Sequence, residues 1–377
     1  MIRKFITLLI LAVFIWLIWS FSGRNTPLPE SESHISVIEE INPSDTLSRN
    51  IIGIQPYMDV SDYFNQANFK FKIRQYLVAA RDKDLIKKNT LVVYPEYIGT
   101  WLFLLEEKHN LAEKETINDV ISTIIYSNAF DYFLGYLKTG KEENKEMSSI
   151  FRMKAKKMLQ AYYETFSELS IETNSYIAAG SIILPEPSVV EGKIYLKLNG
   201  PLYNASFLFG PDGKVIGEPI LKAFPNGNEL PYTVAADTNL APVFELPFGK
   251  TAILLSDDSW HEEAYINANK DSAEIIIVSS FSSGDYSMTS KRSGFDRKVN
   301  PLKFETGEIG EVKNQEAWEK YGLPSQIKNT KATVGMSVFF RGDLWNLNSI
   351  GQPIALLNNK TLSVTSTGKA GIWSLNF

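Results

Sequence analysis

The stretch Thr251-Ala252-Ile253-Leu254-Leu255-Ser256-Asp257-Asp258-Ser259-Trp260-His261-Glu262-Glu263 changes character in its middle. A buried-type strand, Thr251–Leu255, gives way at once to polar side chains. In α/β sheets ligands bind outside the carboxyl ends of strands, so the switch at Ser256 marks a candidate site. A plainer reading is that Ser256, Asp257 and Asp258 cap a following helix, accepting bonds from its free N–H groups. A second strand ends in the same way upstream. Thr90–Tyr94 (TLVVY) runs into Pro95, which cannot donate to a ladder, and then into Glu96 and Tyr97. Before it lie an apolar strand near Asn50–Gln55 and Phe69, Ile73, Tyr76, Leu77 and Ala80 at helical spacing. Strand–helix–strand in this order predicts a parallel pair with a right-handed crossover.

Between these two ends lies Tyr203–Gly217, YNASFLFGPDGKVIG, where Asp212-Gly213 marks a tight turn between two strands. Lys222 comes next, and Glu229 stands seven residues later. Further strands are predicted at Ser175–Leu184, Lys193–Leu198, Ala205–Phe209 and Glu274–Val278, with short ones after Lys331 and a turn at Gly351-Gln352. Residues 101–174 are mostly helical, with one stripe through Ile117, Val120, Ile121, Ile124 and Ile125. A second runs through Ile150, Phe151, Met158, Leu159, Tyr162 and Phe166. The charged segment Lys138–Glu146 separates them. The pattern is one large mixed α/β unit with a β-rich second half.

Taken singly, each polar feature has a bland explanation: a solvated glutamate, a surface lysine, a hairpin turn, a helix cap. Their order and flanking strands together resemble the nitrilase superfamily of carbon–nitrogen hydrolases. Glu96 matches the family's strand-end glutamate, Gly180-Ser181 its Gly-Ser strand, and Asn204 to Gly213 its Asn-to-Asp-Gly hairpin. Lys222 matches its lysine and Asp258 the acidic residue two positions after the nucleophile. The resemblance covers about residues 51–377 and implies a four-layer αββα sandwich with the helical insertion 101–174. It also implies roles: Glu96 as general base, Lys222 stabilising the tetrahedral intermediate, Glu229 assisting, and the backbone N–H of Asp257 in the oxyanion hole. Trp260 and His261 are candidates for the pocket wall. No cofactor and no metal is implied. A small-molecule amide, nitrile or acyl ligand is, and a homodimer formed through the helical layers is expected on the same ground.

The nucleophile position departs from the pattern. The matching residue is Ser256, and the chain contains no cysteine at all, so no shift of alignment supplies a thiol. A thiol with a pKa of about 8.5 needs little help from a carboxylate, whereas an alcohol needs a better base. Lys222 could serve Ser256 only with its pKa lowered by burial. His261 is the other neutral base nearby, although a lone His past a strand end is more often structural. No phosphate-binding GxxxxGK[ST] loop, HExxH pair or GxSxG elbow occurs. Net charge is −5, from 38 Lys and Arg against 43 Asp and Glu, which gives no basic face for nucleic acid.

Residues Phe5–Phe21, FITLLILAVFIWLIWSF, carry no charge and suffice in length for a membrane-spanning helix. Arg3 and Lys4 precede them and Trp16 and Trp19 lie toward one end, which predicts a signal-anchor over residues 1–22. A cleaved signal peptide would have a shorter apolar core and a small-residue site, and WSFSGR is a poor one. Residues 23–50 read as a polar linker, leaving the domain at 51–377 outside the cytoplasm, periplasmic or extracellular. Two readings of function stay open: a membrane-anchored amidase or nitrilase-type hydrolase using Ser256, and a catalytically inactive relative that binds a ligand or partner. An amide-forming N-acyltransferase is a third, but that group carries many more spanning helices and also uses cysteine.

Overall fold

The computed structural model describes residues 2–44, 46–238, 241–282, 288–291, 310–347 and 349–377. Two sheets form its centre. The first has seven strands in the spatial order Ile35–Ile41, Ala370–Asn376, Arg49–Gln55, Asn89–Val93, Tyr176–Pro185, Leu202–Phe209 and Val215–Leu221. The second has six, in the order Val243–Leu246, Gly249–Leu255, Ile275–Ser280, Val334–Phe339, Ile354–Leu357 and Lys360–Leu362. Strands Arg49–Gln55 and Asn89–Val93 are parallel, with the helix Gln66–Asp82 between them in sequence, as the strand–helix–strand pattern requires.

Side-chain alternation decides what each sheet faces, because successive residues of a strand point to opposite sides. Leu91 and Val93 pack with Ile253, Leu255, Ile275 and Ile277 in one cluster, which fills the space between the sheets. Val92 points the other way, into the core beneath the helices. In the second sheet Ala252, Leu254, Ile276 and Val278 face outward under Trp260, Trp318 and Leu323. Helices therefore cover both outer faces and the architecture is a four-layer αββα sandwich. The sheets approach closely at Gly53: a Cβ there would lie 2.5 Å from Met336 Sδ and 2.6 Å from Val338 Cγ1. Any side chain at this position would have to displace Met336 and Val338 of the second sheet.

The first five helices along the chain are α1 (Ile2–Phe21), α2 (Gln66–Asp82), α3 (Ile117–Ser127), α4 (Ala129–Tyr136) and α5 (Lys145–Thr173). Helix α5 lies against the strand Tyr176–Pro185 and against α2, burying Met158, Tyr162 and Phe166 along its sheet face. Asn144 caps its first turn, accepting from Met147 N–H at 3.0 Å, and Asn174 ends it in the left-handed conformation. Helix α1 is largely exposed along its length, with Ser20 its buried residue. Among the described residues, this one helix is long and apolar enough to span a membrane.

The segment 23–50, read from sequence as a polar linker, contains an ordered part of the sheet. Ile35–Ile41 pairs in parallel with the C-terminal strand Ala370–Asn376. Glu39 and Glu40 mask its alternation, and an edge strand with one solvated side tolerates them. Arg49 ties the end of this segment to the C-terminus, donating from Nε to the carbonyl of Phe377 at 3.0 Å.

Candidate functional site

Glu96 stands just past the strand Asn89–Val93, and its loop is held from two sides. Gly180 has φ of +65°, and a Cβ on it would lie 2.1 Å from the carbonyl oxygen of Pro95. The next residue, Ser181, accepts a bond from Tyr97 N–H at its Oγ (2.8 Å), and its carbonyl accepts from Gly99 N–H (2.9 Å). The Gly-Ser pair thus seats the Glu96 turn, with glycine supplying the close approach and serine the acceptor.

Lys222, directly after the strand Val215–Leu221, meets this turn from the other side. Its ammonium lies 2.9 Å from Glu96 Oε1, 2.6 Å from Glu229 Oε2 and 2.8 Å from Asp257 Oδ2. Asn204, from the strand Leu202–Phe209, bridges two of the acids, donating from Nδ2 to Glu96 Oε1 (2.9 Å) and Glu229 Oε1 (2.7 Å). Lys222, Glu96 and Glu229 are all at least 99% buried, whereas the Asp257 side chain is 25% exposed. Burial alone would lower the Lys222 pKa, but Asp257, Glu229 and Glu96 outweigh it and hold the amine firmly as ammonium. Burial pushes Glu96 up to about 8, with Lys222 opposing and the Glu229 and Asp257 carboxylates adding to the rise. With its pKa raised to about 8, Glu96 is the carboxyl of this cluster that holds a proton at neutral pH. Glu96 Oε2 has no hydrogen-bond partner among the described residues.

Ser256 comes directly after the strand Gly249–Leu255 in the left-handed conformation, φ +43°, and is 99% buried. Its hydroxyl donates to the carbonyl of Phe281 at 3.1 Å, pointing to the neighbouring strand's end and not to Glu96 or Lys222. Asp257 turns its carboxylate into the space that Lys222 faces. Asp258 turns back into the protein, accepting from Ala223 N–H (3.1 Å) and Phe224 N–H (2.8 Å) and so fastening the Ser256 turn to the Lys222 loop. Burial raises its pKa to about 7, against the pull of Lys222 and these two N–H groups.

A cavity of about 420 Å³ opens beside the cluster. Its walls are largely aromatic and aliphatic, including Tyr97, Trp101, Tyr232, Phe281 and Trp260, and its polar points include Asp257, Asn118, Asn144, Asn226, Asn228 and Asn314. The helical segment supplies one side through Ile117 and Ile121 of α3 and Met147 and Phe151 of α5. Size and lining are those of a small-molecule site.

Glu96, Lys222 and Glu229 converge in one cluster, and Trp260 lines the cavity. Ser256 is adjacent but turned away. Glu96, Lys222, Glu229, Ser256 and His261 are not among the lining residues; Asp257 is where the cluster meets the cavity. His261 stacks on Phe224, two residues after Lys222, with ring centres 3.7 Å apart, and burial lowers its pKa. Several contributors are not evident as site residues from sequence. Asn204 belongs to the hairpin motif, and the inward-facing periodicity of its strand is the available signal. Asp257 is expected from sequence to act through its backbone, and nothing in a run of two aspartates tells which one enters the site. Trp101 and Ile121 come from the segment outside the motif altogether.

No family model and no curated protein matches the sequence. Solved structures do. A cysteine-to-serine variant of the Nesterenkonia AN1 amidase from the nitrilase superfamily aligns with a TM-score of 0.54 and 12% identity, over 88% of this chain and 92% of that one. The same amidase carrying acrylamide on its active-site cysteine aligns at 0.53 and 10% identity, over 87% and 93%. A carbon–nitrogen hydrolase from Helicobacter pylori G27 aligns at 0.53 and 16% identity, over 87% and 88%. At these identities the likeness is one of backbone architecture. The chain has the fold of the nitrilase-superfamily amidases and carbon–nitrogen hydrolases.

Proposed function

We propose that this chain is a membrane-anchored, extracytoplasmic relative of the carbon–nitrogen hydrolases, and that it binds an amide, nitrile or acyl compound in its cavity without hydrolysing it. The observation that carries this reading is the saturation of Lys222. An ammonium group has three N–H donors. Here Glu96, Glu229 and Asp257 each take one. None remains for the oxyanion of a tetrahedral intermediate, where a free, pre-aimed donor is worth about 3–4 kcal/mol of barrier.

The nucleophile position supports the same reading. The Ser256 hydroxyl is bonded to a backbone carbonyl, which cannot accept its proton in a reaction. Lys222 as ammonium cannot accept it either, and a protonated Glu96 is an acid and not a base. The cavity still offers a ligand the Asp257 carboxylate, the one acid of the cluster that lines it, beneath aromatic walls. The anchor reading is supported by the exposed apolar helix α1 behind Arg3 and Lys4, an arrangement that favours export of the downstream domain.

The test uses the full chain in detergent, with a panel of amides, ammonia release as the rate and intact mass as the record of an acyl adduct. Wild type and Ser256→Cys are expected to give neither. Ser256→Cys combined with Asp257→Ala frees one ammonium donor and supplies a thiol, and is expected to gain the adduct. Hydrolysis by the wild type that disappears in Ser256→Ala would overturn the reading in favour of an active hydrolase.

A further inference from the structure

The end of α1 is bonded into the domain. Trp16 donates from its indole N–H to the carbonyl of Tyr126 at 2.9 Å, and the Ser20 hydroxyl donates to the carbonyl of Ser127. The Lys108 ammonium donates to the carbonyls of Trp19 and Ser22 and lies 4.4 Å from the Trp19 ring centre. Arg24, just past the helix, reaches the carbonyl of Glu106 (2.8 Å) and Asn128 Oδ1 (3.0 Å). These bonds set α1 at a fixed place beside the junction of α3 and α4.

That place has a depth. Trp16 stands five residues before Phe21, the last residue of α1. At about 1.5 Å per residue its partner carbonyl on Tyr126 lies roughly 7 Å below the helix end. If α1 crosses a bilayer with its end at the surface, the α3–α4 junction is sunk by that amount.

The surface found there is apolar. Phe130, Phe133, Leu134 and Leu137 are 68%, 55%, 41% and 64% exposed, and Tyr126, next to α1, is 66% exposed. The first four follow the i, i+3, i+4, i+7 spacing of a single helix face. Such a face normally turns to a core. Here the core-facing side of α4 is instead taken by Gly135, packed so closely that a Cβ would lie 2.5 Å from the carbonyl of Ser149 on α5.

We propose that α4 and the end of α3 lie in the bilayer interface next to α1, so that lipid covers this face and the domain is held to the membrane at two points. The occupant is lipid because the patch is continuous with a membrane-spanning helix and lies at a depth, roughly 7 Å, within the 5–10 Å at which interfacial helices seat. The inference rests on the reading of α1 as an anchor. It seats α3, which lines the cavity through Ile117 and Ile121, at the membrane surface.

The absence of cysteine makes a clean test possible. Leu11→Cys in α1, Phe133→Cys in α4 and Ile266→Cys on the opposite helical layer are each labelled with an environment-sensitive fluorophore. The full chain is reconstituted in phosphatidylcholine–phosphatidylglycerol vesicles and quenched by spin-labelled lipid or by aqueous iodide. Labels at 11 and 133 are expected to lose fluorescence to the lipid quencher and to resist iodide, with 266 doing the reverse. If 11 reports lipid but 133 behaves like 266, the interfacial seat is wrong and the anchor stands. If neither 11 nor 133 reports lipid, the anchor reading fails and takes this inference with it. If 133 is shielded from both quenchers and shows label–label energy transfer, a second copy of the chain covers the patch and lipid does not.

Discussion

At the scale of single residues, the site is governed by proton placement. Glu96 and Asp258 are both raised by burial, to about 8 and about 7. A carboxyl with a higher pKa when folded holds a proton that the unfolded chain has already released. Folding stability from these two groups is therefore full at low pH and is lost as pH rises from the ordinary carboxylate range, about 4, through about 8. The expected outcome is an unfolding midpoint that drops between about pH 5.5 and about pH 8.5, and drops less in Glu96→Gln, whose amide keeps an acceptor for Lys222 without a charge. A midpoint that climbs over this interval, or an unchanged slope in Glu96→Gln, would contradict the assignment. Asp257 links the two halves of the site, because it bonds Lys222 and is the one acid of the cluster that lines the cavity.

At the scale of elements, the strand Tyr176–Pro185 does more than carry apolar side chains. Its Gly180-Ser181 pair sets the height and direction of the Glu96 turn. Ser181→Ala leaves the Tyr97 N–H buried without its acceptor, at a cost of about 1–3 kcal/mol. Gly180→Ala is expected to be worse, since it adds left-handed strain of about 1–3 kcal/mol to a clash with a backbone carbonyl that has little room to swing. Denaturant melts of the two variants should rank them in that order, and affinity for any cavity ligand should fall in both. The reverse ranking would mean that the Pro95 carbonyl yields easily. The helical segment has a comparable double role. Its α3 and α5 close the cavity, while α4 turns an apolar face outward, so its sequence cannot be read as core packing alone.

At the scale of the whole molecule, the buried interfaces and one exposed helix define how the chain sits. The sandwich is held by a core between the sheets and by a helical layer on each outer face. Helix α1 joins the body through Trp16, Ser20, Lys108 and Arg24, and its remaining surface is largely open. Full-length protein is expected to remain in the membrane pellet after alkaline carbonate extraction, as a spanning helix requires and a single interfacial contact does not. Recovery in the supernatant would show that α1 is removed or does not insert. Residues 35–41 belong to the body as well, so a soluble form is expected to need a start near residue 34; truncation at residue 51 would strip the edge strand from the C-terminal strand.

Much of the fold was legible in order along the chain. TLVVY followed by Pro95-Glu96, the Asp212-Gly213 hairpin and the apolar run ending at Ser256 are local signals, because strand ends and tight turns are made by residues adjacent in sequence. The edge strand at 35–41 escaped because its pairing partner is more than three hundred residues away and its own pattern is broken by Glu39 and Glu40. The chemistry divides in the same way. Sequence alone determined that no thiol exists in this protein and that Glu96, Lys222 and Glu229 stand at or beyond strand ends. Only the tertiary structure decided that Lys222 spends all three of its hydrogens on carboxylates and that the Ser256 hydroxyl turns to Phe281. Which bonds a charged group makes depends on distances of a few ångströms between segments far apart in the chain, and such distances are set by packing and not by spacing.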